Sequence, residues 1–201
     1  KKKKNGGTTA SNSNGSITST VQANTTAGFS IVQYTGTGSN ATVGHGLSSA
    51  PEWIIFKNLD SGSEGWSIYH TSLTSAAYIL TLNNTNAQAS SATDFNSTAP
   101  TSSVFSVGTN ARTNNSSQRI VAYCWHSVSG FSRFGKYEGN NNANGTFVFT
   151  NFLPSFVMIK SIDGGSSSYP WAIYDNRRSP TNPVSLFLSG NSTAVENNSD
   201  R

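Results

Sequence analysis

The side chains with the strongest claim to chemistry are nine Asp and Glu, the three histidines 45, 70 and 126, and Cys124. The spacing of these residues argues against most reactions. Zinc sites take His pairs at helical or strand spacing, and neither HExxH nor HxH occurs. A nucleophile elbow needs GxSxG, which is absent, and Cys124 lacks neighbours that would depress its pKa. A glycosidase needs two carboxylates across a cleft, and nothing in the sequence pairs Asp60, Glu64, Asp94, Glu138, Asp163 and Asp175. Glycines such as those of "TGTGSN" are too loosely set for a nucleotide loop without a following helix. No catalytic residue, metal ligand or cofactor is therefore assigned, and the chain is expected not to be an enzyme.

The elements that would carry a site come from composition and pattern. Of 201 residues, 34% are hydrophobic and 11% charged, and much of the rest is Asn, Ser, Thr and Gly. Those residues favour turns and caps over helix interiors. Eleven Phe, seven Tyr and four Trp still provide apolar surface for a core. The net charge of +4 resides in Lys1 to Lys4; without them nine Lys and Arg face nine Asp and Glu. Nucleic-acid binding requires clustered cations, so none is expected, and KKKK reads as a solvated tail or a cut edge. No apolar run is long enough to span a bilayer, and a start at Lys rather than Met is expected to be processed or truncated. One cysteine builds no disulfide framework, and Cys124 in "IVAYCWHSV" is expected to be a small core residue.

Residues 1–27 have the composition of a flexible Asn/Gly/Ser/Thr linker behind a Lys leader. From Gly28, short β-branched and aromatic runs alternate with turn formers. Strands are predicted over 29–35, 41–47, 52–58, 65–70, 77–82, 103–108 and 119–128. No segment has a sustained helical period.

The strongest feature is an internal repeat. "GFS" at 28–30 returns at 130–132. Pro51, Lys57 and Asp60 fall on Pro154, Lys160 and Asp163 at an offset of 103, and Trp66, Ile68 and Tyr69 on Trp171, Ile173 and Tyr174 at 105. "ILTLNNTNA" then meets "SLFLSGNSTA", and Asp94 meets Asp200. The drift in offset occurs at turns, where insertions cost little. Two β-units are expected, 28–129 and 130–201. The second stops before counterparts of "VFSVG" and "IVAYCWHSV", so it is expected to be incomplete. The predicted architecture is all-β, an antiparallel sandwich built from these two related units.

Within each predicted hairpin, Asp60 and Asp163 are read as turn formers rather than calcium ligands, because neither has a second carboxylate beside it. Trp66 and Ile68, like Trp171 and Ile173, share one strand face that is expected to be core rather than a sugar platform. Tyr69 and Tyr174 lie on the opposite face. Tyr69 and His70, with their counterparts Tyr174 and Asp175, are therefore the candidate ligand contacts. Asn-x-Ser/Thr sequons are numerous, but the composition alone would generate many.

"GFSIVQYTGTGSNATVGHGLSSAPEWIIFKN", "GWSIYH", "IVAYCWHSVSGFSRFGKYEGNNNANGTFVFTNFLPSFVMIKS" and "WAIYDNRRSPTNP" resemble a domain family of structural proteins from marine tailed bacteriophages. That domain often sits beside a concanavalin-A-like lectin domain. The resemblance covers most of 28–195 and brings no established catalytic or binding residues. It implies a virion-surface tail-fibre or receptor-binding role. The partners it implies are other virion proteins, further copies of the chain (as a trimer) and host cell-surface glycan. A head-surface fibre or decoration protein, or a glycan-degrading tail enzyme, are the alternatives.

Overall fold

A computed structural model describes residues 8–142, 144–163, 169–181 and 184–198. The strands are β1 (Ala10–Asn12), β2 (Ser19–Asn24), β3 (Phe29–Thr35), β4 (Ala41–Gly44), β5 (Trp53–Asn58), β6 (Ser67–His70), β7 (Tyr78–Thr81), β8 (Ala89–Ser90) and β9 (Val104–Val107). A one-turn helix α1 (Ala111–Asn114) precedes β10 (Arg119–Trp125). The remaining strands are β11 (Phe156–Ile159), β12 (Ala172–Asp175), β13 (Leu186–Ser189) and β14 (Asn197–Asn198). The fold is all-β and antiparallel, as the sequence predicts.

Eight strands form one sheet in the order β1-β2-β3-β10-β5-β6-β7-β8, β4 pairs with β9, and β11 to β14 form a third sheet in sequence order. Side chains alternate across a strand, so the large sheet presents two apolar faces. On one, Val32, Tyr34, Ile54, Phe56, Tyr69, Ile79, Ile120 and Cys124 pack against Val43, Phe105 and Val107 of the β4–β9 layer and against Phe95. Phe56 sits between Phe95 and Phe105, with ring centroids 5.4 and 5.3 Å away. On the other face, Ile55, Ile68, Leu73 and Leu80 pack against Met158, Ile162 and Trp171, so the third sheet covers it in part. At one end of that face a row of aromatic rings crosses the strands. Phe29 to Trp125 is 4.9 Å, Trp125 to Trp53 is 5.0 Å, and Trp53 reaches Phe134 at 5.6 Å.

The described part of 1–27 is not a linker. Residues 10–24 add β1 and β2 to the sheet edge, with Val21 opposite Val32 and Ile17, Ser19 and Val21 buried. Single apolar residues among Thr and Ser suffice here, because the partner strand β3 supplies the pairing that local propensity does not. Of the seven predicted strands, 29–35 is matched over its whole length. The others form but are trimmed, 41–47 to its first four residues and 119–128 to 119–125.

Asp60 also differs from expectation. The Asx turn belongs to Asn58, whose Oδ1 accepts from the backbone N–H of Asp60 at 3.0 Å and of Ser61 at 3.1 Å. Asp60 instead turns outward to β10, accepting from the backbone N–H of Arg119 at 2.7 Å and from its guanidinium at 2.5 Å. Asp163, the repeat counterpart, accepts from Gln88 Nε2 at 3.4 Å.

Several polar groups are buried and satisfied. Asn114 Nδ2 donates to the carbonyls of Ser39 and Gly108 at 2.6 and 2.7 Å, and Asn58 Nδ2 to that of Ala111 at 2.9 Å. Cys124 is fully buried, as expected, and desolvation pushes its thiol pKa far up, leaving almost no nucleophilic thiolate.

His45 is enclosed too. Its Nδ1 accepts from the backbone N–H of Leu47 at 3.1 Å, which places the proton on Nε2, 3.1 Å from the carbonyl of Thr101. Burial lowers its pKa from 6.5, and burial likewise lowers that of His70. Below pH 6.5 the unfolded chain therefore binds protons that the folded chain refuses. The stability these histidines allow is complete above about pH 6.5 and falls as pH drops toward their folded values. Hydrogen bonds from Arg119 and Arg178 lower the pKa of Asp60 and Asp175, which adds a separate loss only below the ordinary carboxylate range. We predict a lower urea midpoint at about pH 5 than at about pH 8, with His45→Gln shrinking the difference. Equal midpoints in the parent chain would refute this assignment.

Candidate functional site

The hairpins β5–β6–β7–β8 and β11–β12–β13–β14 share their pairing residue for residue. Ile54 faces Tyr69 and Ile55 faces Ile68, as Val157 faces Tyr174 and Met158 faces Ile173. Ile68 faces Leu80 as Ile173 faces Leu188. Tyr78 faces Ser90 as Leu186 faces Asn198. The same turn chemistry closes both. The backbone N–H of Trp66 donates to Asn83 Oδ1 at 2.9 Å, and that of Trp171 to Asn191 Oδ1 at 2.9 Å. Leu82 N donates to the Trp66 carbonyl at 3.0 Å and Gly190 N to the Trp171 carbonyl at 2.8 Å.

The two hairpins meet through their Trp/Ile faces, but not equivalently. Trp171 is buried at 5% exposure, and its indole Nε1 donates to the Thr81 carbonyl at 3.1 Å. Trp66 is only partly buried. It lines an open cleft of about 450 Å³ together with Leu82, Asn83, Gly190, Asn191, Ser192 and Thr193. Gly190 keeps the wall thin: a Cβ there would sit 3.1 Å from Ile173 Cδ1 and 3.4 Å from Trp171 Cβ. Lys160 fastens the same junction, its Nζ donating to the Thr85 carbonyl at 2.9 Å, and burial lowers its pKa.

The chemistry of the cleft follows from its lining. Both Asn side chains have their oxygen engaged by a backbone N–H, which fixes the amide plane and leaves Nδ2 as donor. Ser192 and Thr193 add hydroxyls that donate or accept. Trp66 adds a flat apolar surface, and no charged residue lines the site among the described residues. An aromatic face flanked by fixed amides and hydroxyls suits an uncharged ligand with C–H faces and many hydroxyl groups.

The four candidate contacts from the sequence are not brought to this cleft. Tyr69 lies in the main core, its ring 5.6 Å from Phe95 and edge-on at 88°. It faces a covering layer of β4 and β9 that its local alternation could not reveal. His70, half-buried, accepts from the Ser72 backbone N–H through Nδ1 at 2.9 Å. Tyr174 lies on β12, 5.7 Å from Phe187, and Asp175 pairs with Arg178 at 2.6 Å. The Asn-rich stretches that build the cleft were visible as repeat partners, "ILTLNNTNA" against "SLFLSGNSTA". Nothing in their spacing showed that the two turns converge.

Four carboxylates elsewhere are engaged by arginine: Asp60 by Arg119, Asp94 by Arg112, and both Asp175 and Glu196 by Arg178. Among the described residues no three His, Cys, Asp or Glu group as a metal site, and no helix is long and apolar enough to cross a membrane. No curated protein and no solved structure matches the chain. A family model described as a domain of unknown function, DUF7483, matches residues 2–201, and the chain belongs to that family.

Proposed function

We propose that the chain is a non-catalytic adhesive module that contacts neutral glycan through the cleft at Trp66. The observation that carries this reading is the lining: one indole, two amides held by backbone N–H groups and two hydroxyls, with no charge among the described residues. Catalysis is disfavoured by the state of the two carboxylates that share one arginine. Asp175 and Glu196 both bond Arg178, and hydrogen bonds from its backbone N–H and guanidinium hold Asp175 below the ordinary carboxylate range. A glycosidic general acid needs the opposite shift. The sequence resemblance supplies the setting: the surface of a phage particle, as part of a tail fibre or receptor-binding protein, in trimers and beside other virion proteins. Attachment to the head as a fibre or decoration protein is the second reading, separable by locating the chain on imaged particles.

The test is titration of the chain with neutral and acidic polysaccharides, read by tryptophan fluorescence. Neutral polymers should change the emission. Thr193→Arg, which fills the cleft from an exposed position, should weaken binding at least about tenfold, equivalent to 1.4 kcal/mol. Binding that survives Thr193→Arg, or no response to any neutral polymer, overturns the assignment. Release of reducing ends would overturn the non-catalytic part.

A further inference from the structure

The face of β11 to β13 opposite the Trp171 junction is the counterpart, in register, of the main core face of the large sheet. Val157, Ile159, Tyr174 and Phe187 occupy the places of Ile54, Phe56, Tyr69 and Ile79. The latter four are all buried, whereas Val157 is 37% exposed and the others of its set only half-buried. The difference lies in what covers each face. β5 has β6 on one side and β10 on the other, with Ile54 opposite Cys124 and Phe56 opposite Ala122. β11 has β12 on one side and no strand on the other among the described residues.

The segment leading into β11 shows the same lack. "GFSRFGKY" and "GTFVFTN" stand where β3 and β4 stand in the first unit, and β3 and β4 are held there by β10 and β9. Here the described part of the segment forms no strand, and although Phe134 packs on Trp53, other apolar side chains lie open: Phe147 is 86%, Phe149 61% and Leu153 91% exposed. Among the described residues, the edge of β11 and these two stretches lack the same neighbour, the part that β9, α1 and β10 play beside β3, β4 and β5.

We propose that the open edge of β11, with the face of Val157, Ile159, Tyr174 and Phe187, receives a β9–α1–β10-type segment from another unit of this same fold. The inserted strand carries an alternation like Ile120, Ala122 and Cys124. It pairs with β11 on one side and orders 130–137 as a strand on the other, while a β9-like strand pairs with 146–151. Backbone ladders supply affinity, and the alternating face supplies specificity. An edge with apolar flanks is the template such addition requires. This inference does not depend on the glycan reading.

The probe is a synthetic peptide of residues 103–129 with added terminal lysines, mixed with the full chain. Amide exchange at Phe156–Ile159 should slow at least about tenfold. A scrambled peptide should have no effect, and Val157→Lys, at an exposed position, should abolish the slowing. Two results would overturn the proposal: unchanged exchange at saturating peptide, or slowing that persists in the Val157→Lys variant.

Discussion

Trp171→Ala is expected to loosen the third sheet from the first and to destabilise the protein by about 3–5 kcal/mol, the usual range for truncating a buried Trp. Among the described residues of β11 to β14 and their turns, Trp171, just before β12, is the one buried apolar residue, and it belongs to one cluster with Ile55, Ile68, Leu73 and Leu80. The truncation leaves a large void at the junction and removes the indole hydrogen bond to Thr81. Because the main core lies on the far face of the large sheet, the loss should be local at first. Amides in Phe156–Ile159 and Ala172–Asp175 should exchange faster, while those of Phe29–Thr35 and Arg119–Trp125 should keep their protection. Trp171→Phe separates the terms: it keeps most of the packing and should cost only about 1 kcal/mol, the worth of one hydrogen bond. An Ala variant with parental exchange in both strands would show that the junction is held elsewhere. Loss of the junction also dismantles the cleft, since Trp66 and Asn191 are brought together across it.

Asp94→Ala should have an effect of similar size for a different reason. The carboxylate is fully buried, accepting from Ser67 Oγ at 2.7 Å, Ser91 Oγ at 2.5 Å and the Arg112 guanidinium at 3.3 Å. Its backbone carbonyl accepts from Thr113 Oγ1 at 2.9 Å and from the Gly108 N–H at 3.0 Å. It thereby ties β6 to the loop before β9 and to α1. Removing one partner of a buried ion pair typically costs 3–5 kcal/mol, and Arg112, 24% exposed, can recover part of its hydration. A loss of about 3 kcal/mol in urea unfolding is therefore expected. Asp94→Asn should lose less, because the amide still accepts from Ser67. A variant within about 0.5 kcal/mol of the parent, the range of ordinary surface changes, would contradict this role. On β12 Ala172 holds the register place that Ser67 has on β6, so a serine–aspartate link cannot form there, and Asp200 lies outside the described residues.

Much of this fold is legible locally. Strand β3 follows from alternation in "FSIVQYT", and the paired hairpins follow from the spacing of Trp66, Ile68 and Tyr69 against Trp171, Ile173 and Tyr174. Alternation also determined that Trp and Tyr lie on opposite faces of each hairpin, because successive side chains of a strand point apart. It could not determine which face meets water. Tyr69 and Tyr174 occupy the same register, yet one is core and the other half-open. The layer that buries Tyr69 comes from β4 and β9, remote in sequence, and β12 has no such layer among the described residues. Asn83 and Asn191 are as common-looking as any Asn in a chain rich in them, and only the docking of one hairpin on the other makes them neighbours. Pairing and alternation follow from local pattern, because they depend on residues two apart and on partner strands of matching pattern. Burial and the site depend on which sheets stack, and stacking is set by contacts between segments far apart in the chain.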